Sequence, residues 1–143
     1  MPHINFWAVL ISAVIYFLLG WAWHSNLLFG KTWIKLMGYD KLSKKEKQAM
    51  MAKAKYGFGF AFLTAILTTY CLAYLVITVS NFYHSSGIFS GLQAGFWTWL
   101  GFVATTQLSG VLWERKPFKL YAINASYYLV SFLAMGSILA LWP

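Results

Sequence analysis

Every lysine and arginine of this chain lies in one of two short stretches. Lys31, Lys35, Lys41, Lys44, Lys45, Lys47, Lys53 and Lys55 fall between His24 and Tyr56, and Arg115, Lys116 and Lys119 fall together. The only acids, Asp40, Glu46 and Glu114, sit in the same two places. A soluble domain spreads its charges over its whole surface. A chain solvated by hydrocarbon confines them to the aqueous boundary. The long uncharged intervals therefore decide the fold class.

Only 10% of the 143 residues are charged and 60% are hydrophobic, against roughly 25% charged in an ordinary soluble domain. The length suits a single domain, 1–143. A net charge of +8 on a soluble chain would suggest nucleic acid. Here the bases flank apolar runs, so membrane lipids are the expected partner and nucleic acid is not. A single cysteine, Cys71, excludes an internal disulfide and a cysteine-rich metal site. The N-terminal run lacks a basic leader and ends in Gly20-Trp-Ala-Trp-His24 rather than a cleavage site. It is expected to be a retained transmembrane helix.

A spanning helix needs about 20 mostly apolar residues. Segments 5–23, 56–79, 92–113 and 120–142 meet this, each free of charge inside and flanked by tryptophan or tyrosine. The expected fold is all-α: a polytopic membrane protein with four transmembrane helices in a four-helix bundle. In the connection 24–55, Leu27, Leu28, Trp33, Ile34 and Met37 alternate with Lys31 and Lys35, which predicts a short amphipathic helix in the membrane interface. Gly38 ends it. Ser43 and Glu46 form a capping box that opens a basic helix, Lys44 to Lys55, running into the second span, with Gly57 and Gly59 as a place to bend. Both basic connections are expected in the cytoplasm, and both termini and the neutral connection 80–91 outside, in the periplasm.

Small residues let membrane helices approach closely. The third span has the longest supply, Gly91, Gly95, Gly101, Thr105 and Ser109, and is expected at the centre. The facing helix can belong to the same chain or to a second copy.

His24, Gln107, Glu114 and Asn124 fall near the cytoplasmic ends of spans one, three and four. An amide is costly in lipid, so Gln107 and Asn124 should point inward. One expectation is a polar pocket built from these four residues. The other is that the two amides bond each other or a backbone carbonyl and simply lock the helices together. Lys31, Lys35, Lys44, Lys45 and Lys47 are the expected lipid head-group contacts, unless they serve only to set topology. His3 and His84 face the outer side, but neither has a second ligand at a telling spacing, so no metal site is expected. No catalytic motif and no pair of acids within a span is present, and no catalytic residue or cofactor is assigned.

Two stretches carry a resemblance. The first is Gly20-Trp-Ala-Trp-His-Ser-Asn-Leu-Leu-Phe-Gly-Lys-Thr-Trp33. The second runs from Gly95 through Leu100-Gly-Phe, Leu112-Trp-Glu-Arg-Lys-Pro117 and Leu120-Tyr-Ala-Ile-Asn124 to Tyr127 and Gly136. Together they resemble a bacterial membrane-protein family catalogued as domain of unknown function 1761. Where the family pattern is Trp-Tyr-Ser-Pro, this chain has Trp23-His24-Ser25-Asn26. The resemblance implies a small four-span inner-membrane protein and no particular activity. Two non-enzymatic roles are expected: an oligomer forming a pocket or path for a small solute, or an accessory protein holding anionic lipid or a partner membrane protein through its lysines. A membrane-embedded enzyme is the remaining alternative.

Overall fold

The computed structural model describes residues 3–142. Helix α1, Phe6–Trp23, starts at Asn5, whose side-chain oxygen accepts the amide N–H groups of Trp7 and Ala8 at 3.0 and 3.3 Å. These donors have no partner inside the helix, so a short polar side chain at this position supplies one. After a tight turn comes α2, Gly30–Leu36. Gly38, at φ 74°, breaks it, and a 3₁₀ turn at Tyr39–Lys41 leads to α3.

Helix α3 runs unbroken from Lys44 to Tyr83, so Gly57 and Gly59 leave it helical. Ser43 and Glu46 make the reciprocal capping box at its start. Its 40 residues measure about 60 Å at 1.5 Å per residue, twice a hydrocarbon layer of about 30 Å. The burial pattern agrees, because its buried positions begin only at Ala65. The following connection is shorter than the predicted 80–91. His84 takes a left-handed conformation and Gly87 has φ 85°, and the next helix begins at Ile88.

The third predicted span is helical but interrupted. Helix α4, Ile88–Thr98, passes into a π-wound segment, Trp99–Ala104, and then into α5, Thr105–Leu112. Around it the hydroxyls of Thr98, Thr105 and Thr106 donate to the carbonyls of Ala94, Gly101 and Phe102 at 2.6–2.7 Å. Wider winding shifts the amide partners of nearby carbonyls, and threonine hydroxyls supply donors there. Helix α6, Phe118–Leu141, follows Pro117. Among the described residues three helices, α1, α3 and α6, are long and apolar enough to cross a membrane.

The central element is α6, which touches α1, α2, α3, α4, the π segment and α5. The third span was expected there. The reason lies in the π winding, which offsets the helix faces. Gly91 and Gly95 are buried, while Gly101, Thr105 and Ser109 are exposed. The buried pair meets α6 of the same chain. A methyl group at Gly91 would overlap the Gly136 carbonyl, and one at Gly95 would overlap the Phe132 carbonyl. The main core joins Ala8 and Val9 of α1, Leu72, Ala73 and Val76 of α3, Ala94 of α4, and Phe132, Met135 and Leu139 of α6. These come from the starts of α1 and α4 and the late parts of α3 and α6, so the four helical runs alternate in direction. Large apolar side chains such as Phe60, Leu67, Trp97 and Phe102 point outward. This is the inverse of a water-soluble surface.

Gly91→Ala should destabilise the protein by about 1–3 kcal/mol, because backbone stands where the methyl must go. Gly101→Ala, with nothing within 4 Å of the new methyl, should change stability by less than about 0.5 kcal/mol. Reversible unfolding in mixed micelles measures both.

Candidate functional site

The end opposite the core is built around the turn that follows α1. The Ser25 hydroxyl donates to the Ala22 carbonyl at 2.8 Å and accepts the Leu27 amide at 3.2 Å. The Gly30 amide closes the turn on the Ser25 carbonyl at 2.8 Å. A side chain at Gly30 would run into the backbone of His24 and Ser25, so only glycine fits there. This turn pins the end of α1 beside the start of α6. The Trp23 indole N–H donates to the Ile123 carbonyl at 3.0 Å, and the Trp99 indole N–H, from the π segment, donates to the Ala125 carbonyl at 2.8 Å.

His24 sits between these anchors. Its Nδ1 is 2.9 Å from the Gly20 carbonyl and its Nε2 is 3.3 Å from Asn124 Oδ1. The ring meets Trp33 and Tyr127 edge-on, at centroid distances of 5.1 and 5.3 Å. Neither expectation for the amides describes this pairing fully, because Asn124 bonds the imidazole.

His24, Gln107, Glu114 and Asn124 all line one open cavity of about 430 Å³, within the range of small-ligand sites. Ser109, Lys116, Tyr121, Tyr127 and Tyr128 complete its polar lining. After α5 the chain turns back through Arg115 at φ 57°. The Lys116 stem then lies over Gly110, and its ammonium pairs with Glu114. Both side chains are about half exposed, so the pair contributes less than about 1 kcal/mol and marks the cavity rim.

A second, more apolar cleft of about 520 Å³ lies between α1, α2 and α3, lined by Tyr16, Phe17, Trp21, Trp33, Phe58 and Thr64. It shares His24, Tyr127 and Tyr128 with the first. These three side chains form the wall between the two. Tyr127 donates its hydroxyl to the Tyr16 carbonyl at 3.2 Å and stacks on the Tyr16 ring at 5.6 Å. Gly20 makes room for it, since a methyl there would lie 2.8 Å from the hydroxyl oxygen. Gly20, Tyr121 and Tyr127 stand out in the sequence within the family resemblance and not as part of the site, and Tyr128 does not stand out at all. The signal was available, because Tyr121, Tyr127 and Tyr128 stand at i−3, i+3 and i+4 from Asn124 and so share its face.

The lysines lie elsewhere. Lys31 and Lys35 are exposed on α2, and Lys44, Lys45 and Lys47 are exposed in the first turns of α3. There the Ser43 hydroxyl and amide, both bonded to Glu46, hold its carboxyl below the usual range. On the other side His3 and His84 are exposed. Among the described residues no three histidine, cysteine or acidic side chains are grouped to hold a metal ion.

Tyr127→Phe removes one hydrogen bond and should cost about 0.5–1.5 kcal/mol. Gly20→Ala should cost more, because the methyl meets the phenol. The double variant should be less destabilised than the sum of the two, by at least about 0.5 kcal/mol. A thermal or denaturant double-mutant cycle in detergent reads this coupling.

No curated protein and no solved structure matches the chain. The model of the family described as Protein of unknown function (DUF1761) matches residues 7–140. The chain, with its glycine-closed turn after α1 and its polar cavity beside α6, belongs to that family.

Proposed function

We propose that this is a non-enzymatic, four-span protein of the bacterial inner membrane that binds a small polar solute in the cavity beside α6. In this reading the interrupted run Ile88–Leu112 is the fourth crossing, since its 25 residues (11, 6 and 8 in the three segments) exceed the roughly 20 a bilayer requires. The basic connections lie in the cytoplasm, and the cavity opens on that side. The termini and the turn at His84 lie outside.

One observation carries the solute reading. Polar groups from three separate parts of the chain, His24, Gln107 and Asn124, converge on a cavity with charged residues only at its rim. His24 and Asn124 bond each other, as helix-locking groups do, yet both also border the open cavity together with Gln107. A single chain supplies the whole lining, so self-association is not needed to build it. If the chain does form the expected oligomer, the outward pair Gly101 and Thr105 marks the face we assign to it.

The accessory reading has its own observation. The first third of α3 projects beyond the packed helices with Lys44, Lys45, Lys47 and Lys53 all exposed. Each such base near an anionic surface contributes about 1 kcal/mol. This arm serves lipid or partner attachment in addition to the cavity.

Purification in mild detergent followed by mass spectrometry of co-purified small molecules should yield a solute. Gln107→Leu and Asn124→Leu should lower its occupancy at least about tenfold, the effect of losing one or two buried hydrogen bonds, with helicity and stability retained. Neutralising Lys44, Lys45 and Lys47 together should leave occupancy unchanged and weaken binding to anionic vesicles. An empty wild-type protein, or occupancy indifferent to both leucine variants, would defeat the solute reading.

A further inference from the structure

His24 is held between two oxygen atoms. Nδ1 faces the Gly20 carbonyl and Nε2 faces Asn124 Oδ1. A backbone carbonyl only accepts, so Nδ1 keeps its proton whatever the charge on the ring. The proton that comes and goes therefore belongs to Nε2. In the neutral ring Nε2 is an acceptor and calls for the amino end of Asn124. In the charged ring it is a donor and calls for the carbonyl end. The two ends of an amide are nearly equal in size, so a half-turn about one bond exchanges them without repacking.

Asn124 also lines the cavity. When its carbonyl turns to His24, its amino group is left for the cavity, and the reverse holds for the neutral ring. One proton thus reverses the hydrogen-bonding sense of the wall. Resting on the pocket reading, we propose that the cavity takes a small oxyanion, and takes it together with a proton on His24. The charged imidazole, with both N–H groups engaged, supplies its positive charge, while the freed Asn124 amino group and the Gln107 amide offer donors to such a ligand. At the rim Glu114 and Lys116 offset each other, so the His24 proton sets the net charge of the lining. The clustering of all the cations at this end draws anions toward the opening.

The other ionisable groups near His24 are Tyr16 on its own helix, Tyr121, Tyr127 and Tyr128 on α6, and the Glu114–Lys116 pair. On the α2 side Trp33 faces the ring, with Tyr39 behind it. Helix α3 presents Phe58, Ala61 and Thr64 to the adjoining cleft, none of them charged. Histidine is the side chain whose charge ordinarily changes between about pH 5 and pH 8.

The test titrates the whole protein, in nanodiscs of zwitterionic lipid, with acetate, sulfate and neutral acetamide between about pH 6 and pH 8, the histidine range. Nitrogen chemical shifts of labelled His24 are followed alongside affinity. A parallel arm replaces part of the lipid with phosphatidic acid. Oxyanion affinity should rise as pH falls, by up to about tenfold per unit, and the Nε2 signal should move to the protonated value on binding. His24→Gln should flatten the pH profile; if that variant does not fold, the wild-type nitrogen shifts decide. Displacement of acetate by phosphatidic acid would identify the oxyanion as a lipid head group, and its absence a free solute; either supports the proposal. Acetamide binding in place of oxyanions, sensitive to Asn124→Leu, would overturn it and leave the pocket reading standing. Oxyanion binding with no pH dependence would also overturn it. Binding of none of the probes, with no co-purified solute, would overturn both.

Discussion

Hydrocarbon does not accept a charge, and the arrangement of this chain follows from that refusal. The lysines and arginines cannot enter the apolar runs, so they collect in the two connections that join α1 to α3 and α5 to α6. Because the four helical runs alternate in direction, both connections come to the same end. That end receives the cations, the short helix α2 and the polar cavity. The other end receives neutral turns and the tight core.

The two ends are packed by different means. At the core end, α4 and α6 approach until their backbones touch at Gly91, Gly95, Phe132 and Gly136. Small residues allow this, and dispersion and backbone dipoles then provide the attraction that the hydrophobic effect cannot supply in lipid. At the cavity end large aromatics replace the glycines. Tyr127, Tyr128, Trp23 and Trp99 keep the helices apart, and two indole N–H groups tether α6 through its own carbonyls. Close approach at one end and aromatic spacers at the other leave a gap. The polar groups that line it need partners, and His24 with Asn124 supplies one pair directly.

Local features were legible in the sequence because local chemistry determines them. The Ser43–Glu46 capping box, the break at Gly38 and the extent of α1 all depend on residues within a few positions of one another. The four polar residues share a cavity because alternating helices bring the end of one beside the start of the next, which span counting already implies. What needed the structure was rotation about the helix axes. The π segment turns Gly101, Thr105 and Ser109 away from the face that carries Gly91 and Gly95, and no residue type announces such winding. That offset makes α6 the centre and not the third run. It also explains why three uninterrupted helices appear where four spans were expected. The bond between His24 and Asn124, 100 positions apart, depends on the Gly30 turn and on Gly20 yielding space to Tyr127, which are tertiary facts.

The central claim is that four helical runs carry the chain back and forth across a bilayer, with every cation kept on one side. Single cysteines at Lys45→Cys, Ser86→Cys and Arg115→Cys, in a Cys71→Ala background, test it most directly with a membrane-impermeant thiol reagent. In intact cells only position 86 should react, and in inverted vesicles only positions 45 and 115. Reaction of positions 86 and 115 from the same side would mean that the interrupted run does not cross, and labelling of position 45 from outside would contradict the threading altogether.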